Sequence, residues 1–149
     1  MGVSLRPVTA ETYRAAIRLR VRDDQLHFVA LNSSSLAQMH FEPWWECHGA
    51  YEGEAMVGFV MMGRLPRDGR WWIQRLMVDA GRQRRGLGRA ILREALRVLE
   101  EKRGAAEVLL SFEPLNAVAR ALYESEGFRD TGERDHDGEI VFLRSGRRR

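Results

Sequence analysis

Residues 81–90 read Gly81-Arg82-Gln83-Arg84-Arg85-Gly86-Leu87-Gly88-Arg89-Ala90 (GRQRRGLGRA), with four arginines and three glycines. The segment lies between the apolar run Leu76-Met77-Val78 and a helical pattern that begins near Ala90. The first N–H groups of a helix lack partners inside the helix, and its dipole places about +0.5 charge there. Glycine allows a sharp turn and a close ligand approach. The segment therefore predicts an anion-binding loop, of the kind that holds phosphate, at a strand-to-helix junction.

Two common phosphate-binding motifs do not fit this loop. The Walker A spacing from Gly81 to Gly86 is present, but Leu87 and Gly88 follow where Lys and Ser or Thr are required. The dinucleotide-binding pattern fails because Ile91 stands at the third glycine position. The loop alone leaves a basic, solvated turn before a helix as an open alternative.

Composition sets the broad class of protein. The 149 residues are 44% hydrophobic with a formal net charge of +3, and they predict a single domain over residues 1–149. No apolar run is long enough for a membrane span or a secretory signal, so we expect a cytoplasmic protein without a membrane partner. The single cysteine, Cys47, excludes an internal disulfide and a cysteine zinc site, and no spaced His, Asp and Glu set predicts a metal.

The remaining patterns predict the order β-α-(α)-β-β-β-α-β-α-β. Tyr13, Ile17 and Val21 recur at four-residue spacing and predict a buried helical stripe. A meander of strands precedes the loop. The meander is followed by a βαβα unit, and the loop belongs to this unit. This order is typical of an α/β or α+β fold with a mixed sheet.

A second motif lies beyond the loop. The loop reads Gln-x-x-Gly-x-Gly at Gln83, Gly86 and Gly88, and residues 116–128 read NAVARALYESEGF. Together these segments resemble the GNAT superfamily of N-acetyltransferases, through Asn116, Ala119, Leu122, Tyr123, Gly127 and Phe128. The stretches WWIQRLMVD and LSFEPLN are also similar to bacterial diamine or spermidine acetyltransferases.

The resemblance implies a fold and a cosubstrate. The fold is a mixed, mostly antiparallel central sheet with helices on both faces, of the α/β (α+β) class. The cosubstrate is acetyl-CoA, whose pantetheine pairs with the strand before the loop where that strand separates from its neighbour. The implied cofactor-binding residues are Met77, Val78, Gln83, Arg84, Arg85, Gly86, Leu87, Gly88, Arg89, Asn116 and Ala119.

Acetyl transfer to an amine requires a neutral amine and a proton for the leaving thiolate. A primary amine of pKa about 10.4 is only roughly 1 part in 2,500 neutral at pH 7, so a carboxylate base is expected, acting directly or through water. Glu113, which follows the strand pattern EVLLSF, is our candidate base. Tyr123, on the helix of the second motif, is the candidate acid. Without the resemblance, a tyrosine packed on the sheet would explain Tyr123 equally well.

The acceptor is predicted to be a small-molecule amine, with a polyamine as one candidate. Glu42, Trp44 and Trp72 are the expected acceptor-binding residues, because carboxylates and aromatic faces attract ammonium groups. Aminoglycoside, amino acid and protein N-terminal acceptors stay open, and so does a CoA-binding module without catalysis. Nucleic-acid binding is not expected, because the basic loop lacks interleaved aromatic residues. A homodimer is left open.

Overall fold

Seven strands form one sheet in the order β1-β2-β3-β4-β5-β7-β6. The structure is a computed structural model and describes residues 2–26, 28–83 and 86–146. Every neighbouring pair of strands is antiparallel except β4 and β5, which are parallel. The strands are Ser4–Pro7 (β1), Trp45–Glu52 (β2), Ala55–Arg64 (β3), Trp71–Val78 (β4), Glu107–Phe112 (β5), Arg129–Arg134 (β6) and Ile140–Ser145 (β7). The predicted mixed, mostly antiparallel sheet is confirmed.

Helices cover both faces of the sheet. They are Tyr13–Arg18 (α1), Asn32–Phe41 (α2), Leu87–Arg97 (α3), which continues as a wider turn over Val98–Lys102, and Ala117–Ser125 (α4). Side chains of α1 and α2 pack with Phe59 and Met61 in one core cluster, whereas those of α3 and α4 pack with Phe112 and Phe142 in the other. No helix in the described parts of the chain combines the length and apolar character needed to cross a bilayer.

Helix α1 is shorter than the sequence predicts. It ends at Arg18, so Val21 lies outside it, and its buried residue is Ala16. Tyr13 is 36% exposed. The predicted stripe of Tyr13, Ile17 and Val21 is therefore wrong, because the segment after Arg18 leaves the helix and extends toward the loop after β4, where Arg20 N donates to Asp79 Oδ1 at 2.9 Å.

The sheet opens into a fork between β4 and β5. Parallel pairing runs from Trp71↔Val108 to Ile73↔Leu110 and stops there within the described chain. On its other side, β4 stays paired with β3 as far as Val78, with one extra residue, Gln74, where the register shifts. A bulge of this kind bends its strand and increases the twist. The second half of β4 therefore keeps a free edge that faces the helices α3 and α4.

Gly58 on β3 allows this strand to lie close to both β4 and α3, behind the fork. Gly58 pairs with Val78, and a Cβ atom on Gly58 would lie 2.6 Å from the carbonyl oxygen of Met77 and 2.6 Å from Cδ1 of Ile91. Real Cβ atoms do not approach so closely, so only glycine fits there without movement. The position of the β4 edge therefore depends on Gly58.

Replacement of Gly58 by Ala is expected to lower the free energy of unfolding by about 2 kcal/mol, the usual effect of overpacking a core. Urea unfolding measures the change. The double variant Gly58→Ala, Ile91→Val should recover part of the loss, because it removes one of the two close contacts. Equal stability of Gly58→Ala and the unaltered protein would contradict the prediction.

Candidate active site

A cleft of about 560 Å³ lies at the fork, between the end of β4, the start of α3 and one side of α4. Its other wall is formed by Val21, Gln25 and Phe28 from the segment between α1 and α2. The cleft brings together most of the residues that the sequence predicts for the cosubstrate and the acid, namely Met77, Val78, Gln83, Gly86, Leu87, Gly88, Asn116, Ala119 and Tyr123. Arg84 and Arg85 lie outside the described residues.

The start of α3 forms one end of the cleft. Gly86 caps the helix in the left-handed conformation with φ 76°, which glycine adopts without strain. Among the described residues, the first helical hydrogen bond runs from Ala90 N to Gly86 O at 3.1 Å, so the N–H groups of residues 87–89 precede this part of the hydrogen-bonded ladder. Leu87 is buried and fixes this turn against the core. The arrangement can hold an anion by backbone donors.

The edge of β4 forms the floor. Asp79 N donates to Val57 O on β3 at 2.9 Å, so the alternation of a strand turns the N–H and C=O of Val78 the other way, toward the fork. Gln83 Nε2 donates to Val78 O and to Gln25 Oε1, both at 2.9 Å. The Gln83 amide nitrogen thus ties the loop to β4 and to the segment before α2.

Helix α4 forms the opposite wall. Asn116 caps it, since Asn116 Oδ1 accepts a hydrogen bond from Ala119 N at 3.1 Å. Tyr123 lies between the rings of Phe112 and Phe128, at centroid distances of 5.6 and 5.9 Å. Burial raises the pKa of Tyr123 to about 12, with a further contribution from the negative charge of Glu139. The phenol therefore stays protonated across the working pH range.

The side chain of Arg89 points away from the cleft. It donates to Ser125 Oγ at 2.8 Å and forms an ion pair with Glu126 at the end of α4. Arg93 joins the same carboxylate at 2.9 Å. The Arg89 guanidinium therefore holds α3 against α4. The backbone of Arg89, in contrast, lies in the first turn of α3, at the end of the cleft.

The predicted acceptor residues lie apart from the cleft lining. Glu42 Oε1 accepts hydrogen bonds from Gln38 Nε2 and Trp45 Nε1, both at 3.0 Å, and these bonds lower the pKa of Glu42. Trp44 precedes β2, and Trp72 packs against the core on the side of α1 and α2, in the paired half of β4. Among the described residues, these three side chains do not form one pocket.

Charged groups gather at the open end of the fork. Arg75 on β4 donates to Gln38 Oε1 at 2.6 Å and to the sulfur of Met61 at 3.3 Å. Burial lowers the pKa of Arg75, whereas the negative charges of Glu139 and Glu42 raise it. Glu113 follows β5, and like Arg75 and Glu139 it lies beyond the described cleft lining. Sequence reasoning missed Arg75 and Glu139, because only strand pairing brings them together.

A larger depression of about 750 Å³ lies elsewhere, along α3 and β7. Two ion pairs form within its lining, Arg93 with Glu126 and Arg144 with Glu100. It contains no part of the fork or of the glycine loop, so we place the site at the smaller cleft. Within the ranges that the structure describes, no group of three or more His, Cys, Asp or Glu side chains is arranged to hold a metal ion.

Comparison with known proteins agrees with the geometry. The acetyltransferase (GNAT) family model matches residues 11–128. The chain is 30% identical over 155 residues to the spermine/spermidine N(1)-acetyltransferase of Bacillus subtilis strain 168, covering 97% of this chain and 99% of that protein. The fold is similar to the PaiA N-acetyltransferase of Thermoplasma acidophilum in complex with coenzyme A, with a TM-score of 0.72 and 15% identity over 98% of this chain and 100% of that one.

The fold is also similar to AAC(6')-Ib in complex with Parmomycin and acetyl-CoA, with a TM-score of 0.80 and 16% identity over 97% of this chain and 94% of that one. At these identities the two solved structures support the architecture. The family match, in contrast, spans most of the sequence, and the Bacillus relative is matched over nearly its whole length. The chain therefore belongs to the acetyltransferase (GNAT) family.

Proposed function

We propose that this protein transfers the acetyl group of acetyl-CoA to a primary amine of a small molecule, and that the acceptor is a polyamine. Family membership makes it an acyl-CoA-dependent N-acetyltransferase. The observation that supports acetyl transfer at this site is the cleft itself. It joins the free edge of β4, the start of α3 and the phenol of Tyr123 in one continuous space.

The cleft fits the chemical groups of acetyl-CoA. The diphosphate is placed at the N–H groups of Leu87, Gly88 and Arg89, where the helix dipole adds positive potential. The pantetheine amides are placed along β4, where Val78 presents its N–H toward the fork. Asn116 and Ala119 line the other side of the same groove. The thioester then reaches the fork beside Tyr123.

Tyr123 is placed as the acid. When the amine nitrogen bonds to the thioester carbon, the carbon–sulfur bond breaks and the sulfur takes the phenolic proton. Burial weakens the phenol as an acid, but a thiolate that forms in the same apolar surroundings is desolvated too, so its basicity rises in parallel. The tyrosinate regains a proton from the nitrogen, which must lose one to become an amide.

Local charge supports a cationic acceptor more than the net charge of +3 does. The carboxylates within electrostatic range of Arg75 or Glu139 are Glu42, Glu113, Asp135 and Asp137. The Bacillus relative, named for spermine and spermidine, matches along nearly its full length, which makes a polyamine the acceptor that we propose.

A thiol-release assay with acetyl-CoA and a panel of amines tests the proposal. We expect spermidine and spermine to give the highest kcat/KM, ahead of an aminoglycoside, an amino acid and a peptide with a free N-terminus. Faster transfer to one of the other amines would contradict the polyamine acceptor alone. Acetyl-CoA binding by calorimetry without thiol release from any amine would instead indicate a CoA-binding module.

A further inference from the structure

Glu139 lies at the open end of the fork, although it belongs to neither of the two family motifs. It precedes β7, which pairs with β5 from Glu107↔Ser145 to Phe112↔Ile140. Ser111 is the first residue of β5 beyond the last parallel pair, Ile73↔Leu110. Ser111 Oγ donates to Glu139 Oε1 at 2.8 Å. The Glu139 carboxylate is therefore anchored where β4 and β5 separate.

The backbone around Glu139 is fixed by its own turn. Glu139 N donates to Asp135 Oδ1 at 2.9 Å, and Asp135 N donates to Glu139 O at 3.0 Å. Asp137 N donates to the same Asp135 oxygen at 2.9 Å. The half-buried carboxylate is thus held from both its backbone and its side chain, which suits a group that must meet a ligand in one geometry.

The negative charge of Glu139 affects the pKa of two functional groups at the fork. Its negative charge raises the pKa of the Tyr123 phenol from the α4 side, and it raises the pKa of Arg75 from the β4 side. Glu113 is the carboxylate opposite Glu139 in the continued register of β5 and β7. Burial raises the pKa of Glu139, as do the nearby charges of Asp135, Glu113 and Asp137, whereas the Ser111 hydrogen bond lowers it.

We propose that Glu139 is the carboxylate that binds the acceptor ammonium at the fork and removes its proton. This assignment rests on the proposed function. The placement favours Glu139 over Glu113, because the Glu139 carboxylate is hydrogen-bonded to the fork residue Ser111 and its backbone is held by Asp135. The acceptor nitrogen would lie between a carboxylate on the β7 side and a phenol on the α4 side.

The proton and bond changes balance as follows. The ammonium gives one proton to Glu139, which releases it to water after the turnover. The neutral nitrogen bonds to the thioester carbon, the carbon–sulfur bond breaks, and Tyr123 gives its proton to the sulfur. The nitrogen then gives its second proton to the Tyr123 oxygen, leaving an amide, a free thiol and one proton in solution.

The variant Glu139→Gln tests the assignment, since glutamine keeps an oxygen that accepts from Ser111 but loses the charge. We expect kcat/KM for spermidine at pH 7 to fall about 100- to 10,000-fold, the range of general base catalysis. The affinity for acetyl-CoA and the melting temperature should stay unchanged. Glu133→Gln, which makes the same substitution at an exposed carboxylate on β6, is the matched control and should keep nearly full activity.

The pH profile separates a base from a structural residue. In the unaltered protein, kcat/KM should fall on the acid side as Glu139 takes up a proton, at a pH above the ordinary glutamate range, because its pKa is raised. In Glu139→Gln the rate should follow the neutral fraction of the amine and rise about tenfold per pH unit toward its pKa. The difference between the two proteins should therefore shrink between pH 7 and 10.

Four outcomes would overturn the assignment. An active wild-type protein with equal activity in Glu139→Gln would do so, and so would a loss that stays constant from pH 7 to 10. A large loss in Glu113→Gln with none in Glu139→Gln would assign the base to Glu113. A wild-type protein that releases no thiol with any amine would overturn the proposed function as well, which distinguishes the two failures.

Discussion

Replacement of Tyr123 by Phe is expected to lower kcat by about 100-fold or more, because the leaving sulfur loses its proton donor. The variant removes one oxygen and keeps the ring. That ring packs against Phe112 and Phe128, and phenylalanine keeps both contacts. The hydroxyl has no hydrogen-bond partner among the described residues, so its removal leaves no group unpaired. We therefore expect the fold and the affinity for acetyl-CoA to survive.

The pKa of Tyr123 fixes the pH range of this effect. Because an acid must be protonated to act, and burial and Glu139 raise this pKa to about 12, the donor is lost only as the pH approaches that value. A fall in the rate of the wild-type protein between pH 8 and 10 should consequently not come from Tyr123. The ratio of wild-type to Tyr123→Phe rates should stay level over that interval.

Steady-state kinetics with spermidine and calorimetry with acetyl-CoA measure the two parts of this prediction. Tyr51→Phe is the control, since it also loses a phenolic oxygen but lies on β2, where its ring packs under Arg6 at 4.2 Å. An unchanged kcat in Tyr123→Phe would exclude this residue as the acid. A lost affinity for acetyl-CoA would show that the hydroxyl binds the cosubstrate instead.

The parts of the fold and site that follow local rules could be predicted from the sequence. Gly86 begins α3 with a positive φ, and Asn116 caps α4, as their residue types favour. The apolar face of α3 is buried as its periodicity predicts. The loop, both helices and Tyr123 accordingly meet in one cleft, as the resemblance implies.

The parts that depend on strand pairing could not be predicted in this way. The sequence RDTGER of β6 is mostly exposed and charged, without apolar alternation, and it becomes a strand by pairing with β7 at the edge of the sheet. Likewise, Glu139 reaches Ser111 across 28 residues through the β5–β7 register. The Arg89 side chain was expected near the phosphates, but nothing in its local sequence reveals Glu126.

Replacement of Gly88 by Asp is expected to weaken acetyl-CoA binding about 100-fold with little change in stability. A Cβ atom on Gly88 would contact Leu122 and Val78 at 3.8 Å, which is an ordinary van der Waals distance. An acidic residue in the first turn of a helix also interacts favourably with the helix dipole. The fold should therefore accept the side chain, and any loss of binding has to come from the ligand.

The expected loss comes from charge. The new carboxylate would lie in the cleft at the proposed diphosphate position, and two like charges about 4 Å apart repel by about 4 kcal/mol at an effective dielectric constant near 20. After partial screening, about 2.7 kcal/mol corresponds to the 100-fold change. Gly88→Ala, which adds the same Cβ without charge, should bind acetyl-CoA within about threefold of the wild-type protein.

S-acetylpantetheine, a thioester without the diphosphate, makes the test specific to the start of α3. Calorimetry should find that Gly88→Asp binds this shorter compound as the wild-type protein does, although its affinity for acetyl-CoA is lost. If Gly88→Asp loses both ligands equally, the side chain blocks the cleft by size and says nothing about phosphate. If Gly88→Asp keeps its affinity for acetyl-CoA, the diphosphate lies elsewhere. A negative charge at residue 88 would repel a diphosphate that is held by the N–H groups of residues 87–89.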